Sequence, residues 1–154
     1  MTAERFTLDS NILVYATDSA STLRQGLAIS LVDQSTEVDC VLTLQALGEF
    51  FHAVTRKGIA PKPAAAKQVH DWMGVFTTVT TSETALAAAV DISAAGLLAF
   101  WDAVLVATAE EAGCSLVLSE DMHDGMKLGG VKVRNPFAGS ELAPDIRQLI
   151  GLGV

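Results

Sequence analysis

Short apolar runs alternate along the chain with longer stretches of helical periodicity. The segment RFTLD (Arg5 to Asp9) reads as a first strand that ends on a carboxylate, and Ser10 is placed to cap the helix NILVYAT that follows. A second helix is predicted from about Thr22 to Gln34, and VDCVL (Val38 to Leu42) reads as a buried strand. Thr43 then caps the helix LQALGEFFHAVTRKG, which stops at Gly58 with Arg56 and Lys57 in its last turn. The PKP turn at Pro61 to Pro63 leads into AAAKQVHDWMGVF, with Pro63 opening the helix. FTTVTT (Phe76 to Thr81) is short and β-branched, and Ser82 and Glu83 open a helix through ALAAAVDISAAGLL. WDAVLVATAEEAG (Trp101 to Gly113) is a further helix closed by glycine. SLVLSED (Ser115 to Asp121) is a strand that again runs into carboxylates, VKVRN (Val131 to Asn135) is a late strand, and PDIRQLIGLGV forms a short terminal helix.

Strands separated by helices imply right-handed crossovers and a parallel sheet. The expected class is therefore α/β, with one domain spanning residues 1–154. Half of the residues are hydrophobic and 18% are charged, which supplies a sizeable core and argues against disorder. Ala, Val and Leu predominate over aromatics, as suits helices packed on a buried parallel sheet. The N-terminal MTAERFTLDSN carries charge early and lacks the apolar stretch of a signal peptide, and no apolar run approaches the roughly 20 residues of a membrane span. A cytoplasmic protein with no membrane association is expected. Cys40 and Cys114 lie far apart, each among apolar neighbours, and read as buried thiols in a reducing compartment. The net charge of −8 opposes general nucleic-acid binding, which depends on Lys and Arg neutralising phosphates.

The candidate chemistry lies in four acids. In parallel sheets, ligands bind beyond the carboxyl ends of the strands, where Asp9 and Asp121 fall. Glu49 borders the apolar stripe Leu44, Leu47, Phe51 and Val54 of its helix, and Asp102 opens the most apolar helix of the chain. Taken singly, each has an ordinary structural role: Asp9 as a helix cap, Asp121 as a turn residue, Glu49 as a solvent-facing side chain, and Asp102 as a partner of the helix dipole. Four converging carboxylates repel by up to about 4 kcal/mol per close pair at an effective dielectric of 20. Such a group persists by protonation or by binding a hard cation such as Mg²⁺ or Mn²⁺.

Four pieces, LDSNILVYA, LGEFFHAV, FWDAVLVATAEEAGCSLVLSEDMHDG and VRNPF, together resemble the PIN-domain family, in particular the VapC-type toxin ribonucleases of bacterial toxin–antitoxin pairs. Order and spacing match over nearly the whole chain. The resemblance implies a three-layer α/β/α sandwich with a central parallel sheet and an acidic pocket. It carries the family's four acids onto Asp9, Glu49, Asp102 and Asp121, and its supporting polar positions onto Ser10, Asn11 and Ser119, with Asp124 as an extra outer acid. It further implies one or two Mg²⁺ or Mn²⁺ ions, an RNA substrate, a homodimer and a cognate antitoxin protein. Asp9 and Asp102 are then expected as direct ligands, with Glu49 and Asp121 ligating through water or orienting it. The tail after Phe137 is longer than the family minimum and has no assigned role.

Other residues give weaker signals. His52, His70 and His123 have no metal-ligand spacing and read as helix-surface or loop residues. Trp72 and Trp101 read as packing residues in preference to base-stacking ones. Arg56, Lys57, Lys127, Lys132 and Arg134 are the cations to examine for phosphate contacts. Two rival readings remain: a catalytically silent PIN-like binding module, and another Mg-dependent α/β phosphohydrolase. A haloacid-dehalogenase-like enzyme wants a second Asp where Asn11 stands, and a receiver domain wants a late Lys; neither pattern fits.

Overall fold

The computed structural model describes residues 4–153; residues 1–3 of the N-terminal stretch and Val154 lie outside it. The elements run β1 (Phe6–Leu8), α1 (Ser10–Thr17), α2 (Thr22–Ser35), β2 (Cys40–Thr43), α3 (Leu44–Arg56), α4 (Lys62–Val75), β3 (Thr77–Val79) and α5 (Glu83–Ala94). They continue with α6 (Phe100–Glu111), β4 (Leu116–Leu118), β5 (Lys127–Leu128), β6 (Val131–Arg134), β7 (Phe137–Ala138), β8 (Glu141–Leu142) and α7 (Pro144–Leu149). The main sheet has the order β3-β2-β1-β4-β6-β5, parallel throughout except for β5, which pairs antiparallel with β6.

The alternation of strand side chains splits the core into two faces. Phe6, Leu8, Cys40, Leu42, Leu116 and Leu118 point to one face, where α1 to α4 and α7 supply Ile12, Leu31, Phe50, Trp72 and Ile146. Val41, Val117, Val131 and Val133 point to the other, where they meet Leu105, Val106 and Ala109 of α6. The small residues Ala85, Ala89, Ala103 and Ala107 let α5 lie close against α6. Helices thus cover both faces of a mostly parallel sheet, the α/β/α sandwich expected. The tail after Phe137 completes the first face: Leu142, Ile146 and Ile150 are buried in it.

Several local expectations shift. Asp9, not Ser10, is the cap of α1, its side chain accepting from the Ser10 backbone N–H. The α3 stripe is Ala46, Leu47, Phe50 and Val54, while Leu44 faces outward. The helix opened by Ser82 stops at Ala94, because Gly96 adopts φ +74° and takes the chain out of the helix. The two-residue strands β5, β7 and β8 were not visible in the apolar pattern. Cys40 and Cys114 are buried free thiols.

Candidate active site

Three parallel neighbours, β2, β1 and β4, point their carboxyl ends the same way, and each hands the chain to a segment that carries an acid. Asp9 follows β1 directly, Asp121 lies three residues beyond β4, and Glu49 sits in the second turn of α3 after β2. Asp102 comes from the first turn of α6.

Asp9 is the most enclosed, with 6% of its surface exposed. One carboxylate oxygen accepts the Ser10 N–H at 2.7 Å. The other accepts the Ser119 hydroxyl at 2.7 Å and the Asn11 amide at 3.4 Å. Ser119 is fully buried. Its single proton goes to Asp9, and its oxygen accepts from Asn11 Nδ2 at 3.2 Å and from the Asp121 N–H at 3.1 Å. This hydroxyl therefore joins two of the acids across the β1–β4 pair.

Charges within the group act on three of the four acids. Burial raises the Asp9 carboxyl above its ordinary range against the pull of the Ser119 and Ser10 hydrogen bonds, and the charges of Asp102 and Asp121 raise it further. Glu49 is raised by burial and by the Asp9 and Asp102 charges, opposed by a hydrogen bond from Gln45. Asp102 is raised by burial and by Asp121. The donors are hard carboxylate oxygens, a set that suits Mg²⁺ or Mn²⁺. Among the described residues no three such side chains already stand at the spacing of a shared ligand sphere.

Asp124 stands apart. It binds Arg134 at 2.6 Å and the Asn135 N–H at 2.8 Å, and these contacts hold its carboxyl below the ordinary range. Arg134 also grips Asp145 at 2.8 Å, so it is committed to a structural pair of acids. Lys127 and Lys132 pair across β5 and β6, with Lys132 level with Leu116 at the start of β4, the end of the sheet away from the acids. Lys57 is the candidate cation nearest the site: it lines a cavity of about 320 Å³ together with Ser10, Asn11, Tyr15 and Asp121. His52, His70 and His123 are exposed and take no part in the acid cluster.

One arrangement had no sequence signal. Arg24 of α2 pairs with Glu120, the residue before Asp121, and lies 4.3 Å from the centre of the Phe137 ring and 5.3 Å from that of Tyr15. The Tyr15 hydroxyl donates to Glu120 at 2.7 Å. Glu120 is thereby engaged by Arg24 and Tyr15, which ties the loop that carries Asp121 to α1 and α2.

No curated protein sequence gives a significant match. Solved structures do. VapC20 of Mycobacterium tuberculosis, a sarcin–ricin loop cleaving toxin, aligns with a TM-score of 0.62 at 16% identity, over 75% of this chain and 89% of that one. VapBC2 from Rickettsia felis, bound to a promoter DNA fragment, aligns with a TM-score of 0.62 at 12% identity, over 85% and 98%. A toxin–antitoxin complex from Klebsiella pneumoniae aligns with a TM-score of 0.59 at 16% identity, over 88% and 98%. At these identities the likeness is one of fold. The PIN domain family matches residues 6–123, which include all four acids and Ser119, and the chain belongs to that family.

Proposed function

We propose that this protein is a Mg²⁺- or Mn²⁺-dependent endoribonuclease that acts as the toxin of a toxin–antitoxin pair. The feature that carries the reading is the placement of Asp9, Glu49 and Asp121 beyond the carboxyl ends of the neighbouring strands β1, β2 and β4, with Asp102 in the first turn of α6, all within the region that matches the PIN family. PIN domains generally use divalent metal ions, which accords with that set. When bound, the cation supplies charge that offsets the negative charge building on the phosphoryl oxygens and lowers the pKa of water. Asp9 and Asp102 hold it directly. Asp121 and Glu49 complete the set and orient the attacking water. Ser119 and Asn11 hold the Asp9 carboxylate in place from behind. Lys57 supplies a cation for a flanking phosphate.

Partners follow from the same reading. Two of the structural neighbours are toxin–antitoxin assemblies, which supports an antitoxin protein as the regulator of this chain. A cytoplasmic location belongs to the same proposal; no helix among the described residues is long and apolar enough to cross a membrane. A homodimer belongs to the proposal, and sedimentation as a monomer at micromolar concentration would remove that part of it.

The test is cleavage-site mapping on total RNA with Mg²⁺ or Mn²⁺, wild type against Asp102→Ala. Discrete cuts that vanish in the variant support the proposal. Intact RNA with both metals, or equal cutting by the variant, refutes it.

A further inference from the structure

The two tryptophans have opposite surroundings. Trp72 is buried, with 7% of its surface exposed, and stacks edge-on to Phe50 at 4.7 Å. Trp101 is 62% exposed, although it directly precedes Asp102. A packing role therefore accounts for the first and not for the second. Phe100 braces the Trp101 ring edge-on at 4.8 Å.

What lies beside Trp101 points to an occupant. A cavity of about 280 Å³ is lined by Trp101, Gln45, Gly48 and the acid Glu49. The space around Gly48 is open even to an added Cβ, so the helix surface there stays flat. A second cavity of about 380 Å³ continues from Gln45 and Trp101 toward Thr81, Leu86 and Val104. Gln45 joins ring and site: its amide donates to Glu49 Oε1 at 3.1 Å and to the Trp101 carbonyl at 3.1 Å. Those two acceptors fix the orientation of the amide. They leave Gln45 Oε1 enclosed, with no donor among the described residues. Whatever fills the first cavity touches an indole on one side and an acid of the proposed centre on the other.

We propose that Trp101 is the stacking platform for an unpaired base of the RNA, next to the phosphodiester that the acids engage. The inference rests on the endoribonuclease reading and adds to it a residue that holds the substrate; the base it holds is unpaired, because a paired and stacked base has no free face to offer the indole. Stacking on an aromatic side chain is tolerant of sequence. It also supplies binding energy that a chain of net charge −8 cannot draw from phosphate contacts alone. Trp101 on this account determines substrate binding and takes no part in the chemistry.

The experiment uses a single-stranded RNA ten-mer of mixed sequence and the duplex of the same sequence, with Mg²⁺, on wild type, Trp101→Ala and Trp101→Phe. Stopped-flow tryptophan emission is read before turnover, KM and kcat by cleavage, and mass by sedimentation. Expected are quenching of wild-type emission by the single strand and not by the duplex. KM for Trp101→Ala should rise roughly ten-fold or more at nearly constant kcat, as loss of one stacked base implies, with Trp101→Phe restoring most of the difference. Unchanged emission while RNA is being cleaved, or a wild-type KM in Trp101→Ala, overturns the proposal. So does a fall in kcat at constant KM, which would make Trp101 a support for Asp102, or a change of oligomeric state in Trp101→Ala. If the wild type neither binds nor cleaves either RNA, the ribonuclease reading itself fails, an outcome distinct from the others.

Discussion

Replacing Ser119 with alanine removes one hydroxyl that is fully buried and joins three partners. Its proton goes to Asp9 at 2.7 Å, and its oxygen takes the Asn11 amide at 3.2 Å and the Asp121 N–H at 3.1 Å. A hydrogen bond to a charged acceptor contributes about 1.5–3 kcal/mol, and the part-buried Asn11 and Asp121 donors left behind add a smaller cost. The structure relaxes and Asn11 can turn toward Asp9, so a net loss of about 2–3 kcal/mol is expected. In a chain of 154 residues that corresponds to a fall in Tm of about 4–12 °C. The Asp9 carboxyl also rises further above its ordinary range, since the Ser119 bond is what lowers it most. Divalent-ion affinity should fall about 10- to 100-fold, the usual effect of losing a group that orients a ligand. Thermal unfolding without metal and calorimetric titration with Mn²⁺ read the two effects separately. Wild-type Mn²⁺ affinity in Ser119→Ala would refute the reasoning even if stability fell, because Ser119 would then support only the fold. A stability change under about 0.5 kcal/mol would show that these hydrogen bonds do not hold the fold.

Other expectations follow from the same geometry. Asp9, Glu49 and Asp102 have carboxyls raised on folding, so their contribution to stability is present below the ordinary carboxylate range and is lost as pH climbs through the raised values. Asp124, lowered by the Asn135 N–H and by Arg134, and Asp145, lowered by Arg134, act in the opposite sense at acid pH. The Tm gain on adding Mg²⁺ should therefore grow from pH 5 to pH 8, and a flat or falling gain in calorimetry would contradict the account. Arg24→Met should release Glu120 and loosen the loop that carries Asp121. The expected loss is about 1–2 kcal/mol, at the low end for a broken ion pair because both side chains keep part of their exposure, and denaturant unfolding measures it. Burial raises the Cys114 thiol to about 11 and that of Cys40 further, so neither should react with a thiol reagent until the protein unfolds.

Much of this was written in local patterns. Alternating apolar triplets gave β1, β2 and β4, and the same segments located Asp9 and Asp121 at strand ends. Thr43 and Ser82 were legible as caps because a hydroxyl before a helix has one common use. The contacts that organise the site were not legible. Ser119 and Asp9 are 110 positions apart, and the Arg24–Glu120 pair joins residues whose neighbours carry no hint of each other. Arg134 was one of several cations to examine for phosphate contact, and the fold sets two carboxylates around its guanidinium. Trp101 sits in the most apolar helix, which suggests packing, yet helix geometry turns that one position outward beside Asp102. In each case the deciding fact is a tertiary neighbour, which composition and periodicity do not encode.

The central claim is that four carboxylates form one divalent-ion site that hydrolyses RNA. The most direct test is the rate of RNA cleavage as a function of Mg²⁺ or Mn²⁺ concentration for the wild type and for Asp9→Asn, Glu49→Gln, Asp102→Asn and Asp121→Asn. The account requires no cleavage in the presence of chelator and a saturable rise with metal in the wild type. Asp9→Asn and Asp102→Asn should lose at least about 100-fold in rate, and all four variants should need more metal. Cleavage that persists in chelator, or wild-type rates and metal dependence in Asp9→Asn and Asp102→Asn, would contradict it.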